Sequence, residues 1–394
     1  MDGTLLGRAQ NMAEFRSFRR KWAYVAAAAV LAAALCVLLP VGAGSDSDAD
    51  ITYDVSSDGT TATVTGYDGD VPADLTISGT LGGATVTAIG NDAFLNCTSL
   101  TSVTIPDSVT VIGPRAFMGC TALTTVSFGT DSQLTTIESE AFADDTNLTL
   151  DITSTVFTFS DSAADFATQP AEYWPGSAFR GVQDVTIADS STYYTEDCGD
   201  GSGKIIRSSD TVFAYCGNPT SYTVPAAVTI IGGGALQGCD TLTSLTFADR
   251  TGSLYFRSLA LADTGITDLT LPEYAVLNSS GMDSNYAMGP GSAFRGIQNI
   301  TFASGSSYSV VTEGCEGGGL IVNASTIYAY FGSPTSVDLS QCTTYYVTIG
   351  RNAFQYCSTL TSMNFFPDGR QKTLVEDAFA WCTGLTSLEI SSSV

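Results

Sequence analysis

The chain has no histidine in its 394 residues. That absence excludes a Ser-His-Asp or Cys-His catalytic unit, and any metal centre that depends on imidazole. Cationic residues are scarce as well: 15 Lys and Arg stand against 40 Asp and Glu, a formal charge of -25. Nucleic-acid binding rests on clustered Lys and Arg that neutralise phosphates, so this acidic chain is not built for it. Only 14% of residues are charged and 44% are hydrophobic. That balance belongs to a chain that folds, not to a solvated acidic tail.

The few cations are unevenly placed. Five of them (Arg8, Arg16, Arg19, Arg20, Lys21) fall in the first 21 positions, and beyond residue 44 there are 10 basic against 38 acidic residues. Between the two parts, Trp22 to Ser45 carries no charge, and Ala23 to Leu39 is a near-continuous Ala/Leu/Val run. A bilayer core takes roughly 20 apolar residues as helix, and the preceding Arg-Arg-Lys cluster would stay cytosolic under the positive-inside rule. Residues 1–21 are therefore expected to be a basic cytosolic tail and residues 22–44 a transmembrane signal anchor, with the remainder outside the cell. A cleaved signal peptide is the rival expectation, since Val41-Gly42-Ala43 offers small residues for cleavage. The chain would then be secreted. N-x-S/T triplets at Asn96, Asn147, Asn278, Asn299 and Asn323 are candidate glycosylation sites in an exported chain.

What the sequence has in abundance is repetition. Ile-Gly-x-x-Ala-Phe-x-x-Cys-x-x-Leu-Thr-Ser-Val-Thr-Ile-Pro runs from Ile89 to Pro106 and recurs from Ile112, Ile231 and Ile349, with a shorter copy around Ala378-Phe379. Neighbouring full copies lie 23 or 25 residues apart, inside the 20–29 range of leucine-rich repeats. Ile89, Ala93, Phe94 and Cys97 have the spacing of one face of a short helical turn, and Leu100, Val103 and Ile105 alternate as a strand does. Such units cannot bury their apolar faces singly, so they stack. The expected fold is an α+β repeat solenoid with a parallel β-sheet face.

A longer period overlies the short one. Ala116 and Ala235 are 119 residues apart, Ala235 and Ala353 are 118 apart, and Pro175-Gly-Ser-Ala-Phe-Arg-Gly-Val-Gln183 returns as Pro290-Gly-Ser-Ala-Phe-Arg-Gly-Ile-Gln298. Inserts at 193–223 and 308–338 break the short period, and their strand-turn-strand pattern predicts β-hairpins projecting from the stack. Their aromatics (Tyr193, Tyr194, Phe213, Tyr215; Tyr308, Tyr328, Tyr330, Phe331) are candidate contact residues. In the third copy Asp144-Asp145 replaces the cysteine region, and the strand after Leu148 slips by a residue. Irregular packing is expected there.

The Ala-Phe-x-x-Cys-x-x-Leu blocks resemble the BspA-like leucine-rich-repeat surface proteins over roughly residues 51–394. The opening Asp58-Gly59-Thr60 through Thr63-Val64-Thr65-Gly66-Tyr67, followed by Leu75-Thr76-Ile77, is similar to that family's β-cap, which places a cap at 45–85 and the solenoid at 86–394. The resemblance implies a surface-displayed or secreted protein used in adhesion or ligand binding, with no enzymatic activity.

Ten cysteines invite a disulfide reading, yet Cys97, Cys120, Cys239, Cys357 and Cys382 share one inward repeat position and are expected to be buried thiols. Cys198 and Cys216 bracket a hairpin and are candidates for a bridge. Gly199 to Lys204 lacks both the leading glycine and the Ser/Thr of a phosphate loop. No cofactor is implied; Asp197 and Asp200, with Glu313 and Glu316 at the corresponding places, are expected to be solvated turn acids, with a Ca2+ site the lesser alternative because no twelve-residue EF-hand frame exists. Between the apolar anchors of each strand, alternate residues face outward: Ser102, Thr104, Thr125, Ser127, Asp184, Thr186, Ser244, Thr246, Asp268, Thr270, Asn299 and Thr301, with Ser362/Asn364 and Ser387/Glu389 at the end. This hydroxyl-rich face is the candidate binding surface for an unidentified extracellular protein or glycan. A structural solenoid matching a repetitive glycan or ice surface is the alternative, and a polysaccharide-degrading β-solenoid enzyme a remote one. Because Ile390 to Val394 has the spacing of Ile105 to Val109, where the next repeat opens, a truncated C-terminus is also expected.

Overall fold

The computed structural model describes residues 50–154, 157, 178–188, 193–199, 201–277, 291–341, 348–365, 373–375, 377–386 and 388. The chain divides into two units, Met1–Gly44 and Ser45–Val394. The first, with the expected anchor, lies outside the described residues. Among those residues no helix is long and apolar enough to cross a membrane.

The described residues open with an antiparallel pair, β1 (Ile51–Val55) and β2 (Thr61–Tyr67). The edge strand β3 (Asp74–Thr76) follows, then a tight hairpin of β4 (Thr80–Leu81) and β5 (Ala84–Ile89). Gly82 and Gly83 form that two-residue turn with φ of 58° and 82°, a left-handed pair that glycine adopts without a Cβ clash. From β5 onward the chain winds in coils. The first two supply a four-residue strand to one sheet and a two-residue strand to another, β6 (Ser102–Ile105) and β7 (Val111–Ile112), then β8 (Thr125–Phe128) and β9 (Thr136–Ile137), and the four-residue strands β10 (Thr149–Ile152) and β11 (Asp184–Ile187) continue the first of these sheets. The longer strands pair in parallel in the order β11-β10-β8-β6-β3, and the shorter ones extend β1-β2-β5-β7-β9.

The third side of each coil corrects the expected helical content. Among the described residues the one helix is a 3-10 turn at Leu339–Gln341, so the fold is a β-solenoid and not α+β. The cause lies in the backbone around the Ala-Phe pair. Asp92 and Asn96, four residues apart, have φ of 57° and 58°, and Glu140/Asp144, Leu259/Asp263, Asn352/Tyr356 and Asp377/Trp381 repeat the pattern. Left-handed residues at this spacing cannot belong to an α-helix, where every φ is near -63°. Hydrogen bonding follows suit. Leu95 and Cys97 donate to the carbonyls three residues back, Asp92 and Phe94, at 3.2 Å each, while the amides of Asp92, Phe94 and Asn96 donate across to Pro114, Ala116 and Met118 of the next coil. The segment is a pair of turns laddered to its neighbours. Asp, Asn and Gly predominate at the left-handed sites because they tolerate that region best.

The Ile-Gly step has an equally direct cause. Gly90 and Gly232 donate to Val64 and Val212 of the preceding coil at 2.7 and 2.9 Å. A Cβ on either glycine would meet that same carbonyl oxygen at 2.8 or 2.7 Å, so any larger residue would push the coils apart.

Packing inside the coils is a column of aromatic rings. Phe94, Phe117 and Phe142 are fully buried and stacked, with centroids 5.2 and 5.3 Å apart and ring planes within 11°. Tyr330, Phe354 and Phe379 form a second column at 6.2 and 5.2 Å. Phe379 is half-buried.

The inserts do not project. In the first, β12 (Tyr194–Asp197), β13 (Gly203–Arg207) and β14 (Thr211–Gly217) form an antiparallel meander, and β14 pairs in parallel with Ile230–Ile231 of the next coil. Its apolar residues join the core: Ile205, Ile206, Val212, Ala214 and Cys216 are fully buried. In the second insert the 13-residue strand Thr326–Asp338 pairs at its start with Thr348–Ile349 and at its end with Ser362–Asn364, so one strand serves both sheets. The inserts are a second way of making a coil.

Candidate functional site

Parallel, in-register pairing fixes the outward side chains into columns. Asp74 aligns with Ser102, Ser102 with Thr125, Thr125 with Thr149 and Thr149 with Asp184. Two residues along, Thr76 aligns with Thr104, Thr104 with Ser127, and Asp151 with Thr186. Successive members of a column are about 4.8 Å apart, the spacing of hydrogen-bonded strands. The inward neighbours Val103, Leu150 and Val185 are buried. Thr104, Thr125, Ser127 and Thr186 are exposed, and Ser102 and Asp184 half-buried.

The columns continue along the chain. Ser244 and Thr246 align with Ser221 and Thr223, Asp268 and Thr270 with Asn299 and Thr301, and Ser336 and Asp338 with Ser362 and Asn364. All twelve residues picked from the sequence lie on strands of this kind. Ser387 and Glu389 lie outside the described residues. Asp74, Thr76, Thr149, Asp151, Ser221, Thr223, Ser336 and Asp338 were missed. Leu75-Thr-Ile77 and Tyr222-Thr-Val224 carry the same alternation, but they sit in segments assigned to the cap and a hairpin. The shortened strand after Leu148 is not out of register, because the deletion falls before Thr149 and Leu150 still aligns with Val126.

The outward groups hold one another. Ser102 Oγ donates to Asp74 Oδ1 at 2.6 Å and Thr186 Oγ1 to Asp151 Oδ1 at 2.7 Å. Thr223 and Thr246 share a hydroxyl-hydroxyl bond of 2.8 Å, and Thr270 and Thr301 one of 2.9 Å. Asn299 Nδ2 donates to Asp268 Oδ1 at 2.9 Å. The hydrogen bond from Thr267, then that from Asn299, holds the Asp268 carboxyl below the usual range. Where β11 meets β13, Lys204 Nζ lies 2.7 Å from Asp184 Oδ1, and that bond raises the lysine pKa while desolvation opposes it. Side chains held this way lose less rotamer freedom when a ligand arrives.

Burial removes four of the eight insert aromatics from the surface. Tyr215, Tyr330 and Phe331 are at most 2% exposed and Tyr308 is 8% exposed, while Tyr193 packs edge-on against Phe213 at 5.1 Å. Tyr194, at 41%, is exposed, with the Arg207 guanidinium 4.8 Å above its ring. The Cys198–Cys216 bridge is likewise absent. Cys198 donates its amide to Gly203 at 2.9 Å, and Gly203 and Lys204 align with Gly217 and Cys216, so β13 lies between the two cysteines. Two strand spacings, about 9.5 Å, exceed the reach of a disulfide. Among the repeat thiols Cys120, Cys239 and Cys357 are buried, whereas Cys97 and Cys382 are half-buried.

The sequon residues occupy different settings. Asn147 donates to the Thr121 carbonyl at 2.8 Å, Asn299 lies on the column face, and Asn323, at a strand end, donates to Ser307 Oγ at 3.3 Å. Asn278 lies outside the described residues. Among the described residues no three His, Cys, Asp or Glu side chains converge as a metal site.

The stacked coils match the BspA type leucine rich repeat region in six copies over residues 80–169, 206–282 and 325–394. This is more than half of the chain, and the protein belongs to that family. Among solved structures it is similar to a leucine rich cell surface protein from Faecalibacterium prausnitzii, at 21% identity over 90% of each chain with a TM-score of 0.32. A leucine-rich repeat protein from Eubacterium ventriosum is 15% identical over 88% of this chain and 90% of that one, with a TM-score of 0.39. No curated protein matches the chain.

Proposed function

We propose that this is a non-enzymatic binding or adhesion protein of the cell surface, whose contact surface is the long-strand face of the solenoid. The observation that carries the reading is the run of outward Ser, Thr, Asp and Asn side chains aligned from β3 to β11 and tied together by hydrogen bonds. Such a face offers many weak polar contacts in a fixed array and few aromatic anchors, so affinity is spread over an extended ligand rather than held in a hot spot. Aspartates at 74, 151, 184 and 268 interrupt the hydroxyl pattern, which favours a discrete protein or glycan ligand over a uniform repetitive surface. The basic tail and apolar run of residues 1–44 support export, by a retained anchor or a cleaved signal.

The test is binding of the full chain to arrays of matrix proteins and glycans, beside a Thr104→Lys/Thr186→Lys variant. Both sites are exposed, so the variant keeps the fold while disrupting the face. Loss of binding supports the proposal, whereas undiminished binding moves the contact surface elsewhere. Fractionation of a C-terminally tagged chain separates a membrane-retained product from one released after cleavage.

A further inference from the structure

One side chain breaks the rule of the core. At the inward position four residues past the rung alanine, the first two coils carry Cys97 and Cys120, but the third carries Asp145. Asp145 is 0% exposed, and neither carboxylate oxygen makes a well-formed hydrogen bond; the backbone amides of Cys120 and Gly119 approach it but act on its charge only weakly. Nearby amides are already committed: Gly119 donates to Ala143 at 2.9 Å and Cys120 to Phe117 at 3.1 Å. A charged carboxylate without partners in an apolar core costs several kcal/mol in general, and such a group escapes by keeping its proton.

Among the described residues no cation acts on the Asp145 carboxyl. Among the described residues the titratable side chains acting on this site are the Cys120 thiol, itself next to Cys97, and the Asp144 carboxylate. Arg180, on the following coil, is bound to Glu140 at 3.1 Å and to Asp144 at 3.0 Å. Desolvation raises the Asp145 pKa from 3.8 to about 8, with Asp144 adding to the rise and the Cys120 and Gly119 backbone drawing it back only in part.

We propose that Asp145 makes the third coil a pH-sensitive weak point of the solenoid, closed while the carboxyl keeps its proton and opened when the proton is lost. The closed coil holds that proton at pH values where the open coil has already released it. Stability of the closed form therefore falls as pH rises from about 4 to about 8 and is level above that. A hinge of this kind sits within the ladder of the contact face, because the same coil continues into β10.

The molecule contains its own reporter and its own control. Cys120 is buried beside Asp145, and Cys239 fills the equivalent thiol position of the next module, where the following coil has Thr264 donating to the Leu261 carbonyl at 3.1 Å. Iodoacetamide labelling of the full chain, read by mass spectrometry as the ratio of Cys120 to Cys239 modification, removes the common pH dependence of thiolate chemistry. Between pH 6 and pH 8 the ratio is expected to rise by up to about tenfold per pH unit in the wild type, and to stay flat in Asp145→Asn and in Asp145→Thr. A flat wild-type ratio, or an equal rise in either folded variant, overturns the proposal. Hydrogen exchange on the unmodified protein serves if both variants fail to fold: amides of 141–148 must lose protection relative to 260–266 as pH rises, and parallel profiles refute it.

Discussion

Phe117→Ala tests the register of the whole stack. Phe117 is fully buried, with Phe94 stacked on one face at 5.2 Å and Phe142 on the other at 5.3 Å. A buried Phe→Ala change costs about 3–5 kcal/mol in general, through lost transfer energy and an unfilled cavity. Each aromatic pair adds about 0.5–1.5 kcal/mol beyond area, and here two pairs are lost at once. Neighbouring rings cannot close the gap without breaking the turn ladder that fixes their separation, so the expected cost is at the upper end, about 4–5 kcal/mol. Phe379 makes a comparison, being half-buried and stacked on Phe354 at 5.2 Å; its truncation should cost about half as much. Thr104→Ala, on the exposed face, should fall within about 0.5 kcal/mol. Because repeat arrays need not unfold in one step, residue-level hydrogen exchange is the proper assay alongside urea unfolding. The Phe94, Phe117 and Phe142 amides should lose protection together. If Phe117→Ala proves as mild as Thr104→Ala, the ring column is not the core.

Two further changes probe the turn ladder and the column face. Gly119 has φ of 74° and a Cβ there would lie 2.4 Å from Asn96 Oδ1, so Gly119→Ala should destabilise by about 1–2 kcal/mol from backbone strain alone, with the clash added; an unchanged melting temperature would contradict the left-handed assignment. Lys204→Ala removes the partner of Asp184, but the two side chains are 25% and 36% exposed, so the loss should stay below about 1 kcal/mol and shrink with added salt; a large, salt-independent loss would show that the pair is a buried clamp instead.

The strands were legible because their information is one-dimensional. Leu-x-x-Val-x-Ile with Thr and Ser between states which residues go in and which go out, and stacking then dictates parallel columns. The turn ladder was not legible, because Ile89, Ala93, Phe94 and Cys97 at i, i+4, i+5 and i+8 satisfy a helical face as well as they satisfy two successive turns. The distinguishing signal was present in Asp92, Asn96, Gly119, Asp144, Gly238 and Asp263: Asp, Asn or Gly recurring around the Ala-Phe pair marks left-handed backbone, which no helix accepts. Arg115, Glu140, Leu259, Tyr356 and Trp381 hide that signal. At these positions the neighbouring coils impose the conformation against local preference, and Tyr356 and Trp381 gain a ring stack at 6.3 Å.

The inserts show why aromatic content in the sequence does not by itself mark exposed residues. A projecting hairpin would leave Tyr215 and Tyr330 free to meet a ligand, but β14 and the strand Thr326–Asp338 must continue the sheet, since an interruption would leave the strands Ile230–Ile231 and Thr348–Ile349 as open edges. Continuing the sheet turns the aromatics inward, where Tyr330 stacks on Phe354. Each insert therefore adds to the core and lengthens the solenoid. In the outward columns neither packing nor register decides whether a position is Ser, Thr, Asp or Asn. Asp74, Asp151, Asp184 and Asp268 are thus the positions at which the proposed contact face departs from a uniform hydroxyl ladder.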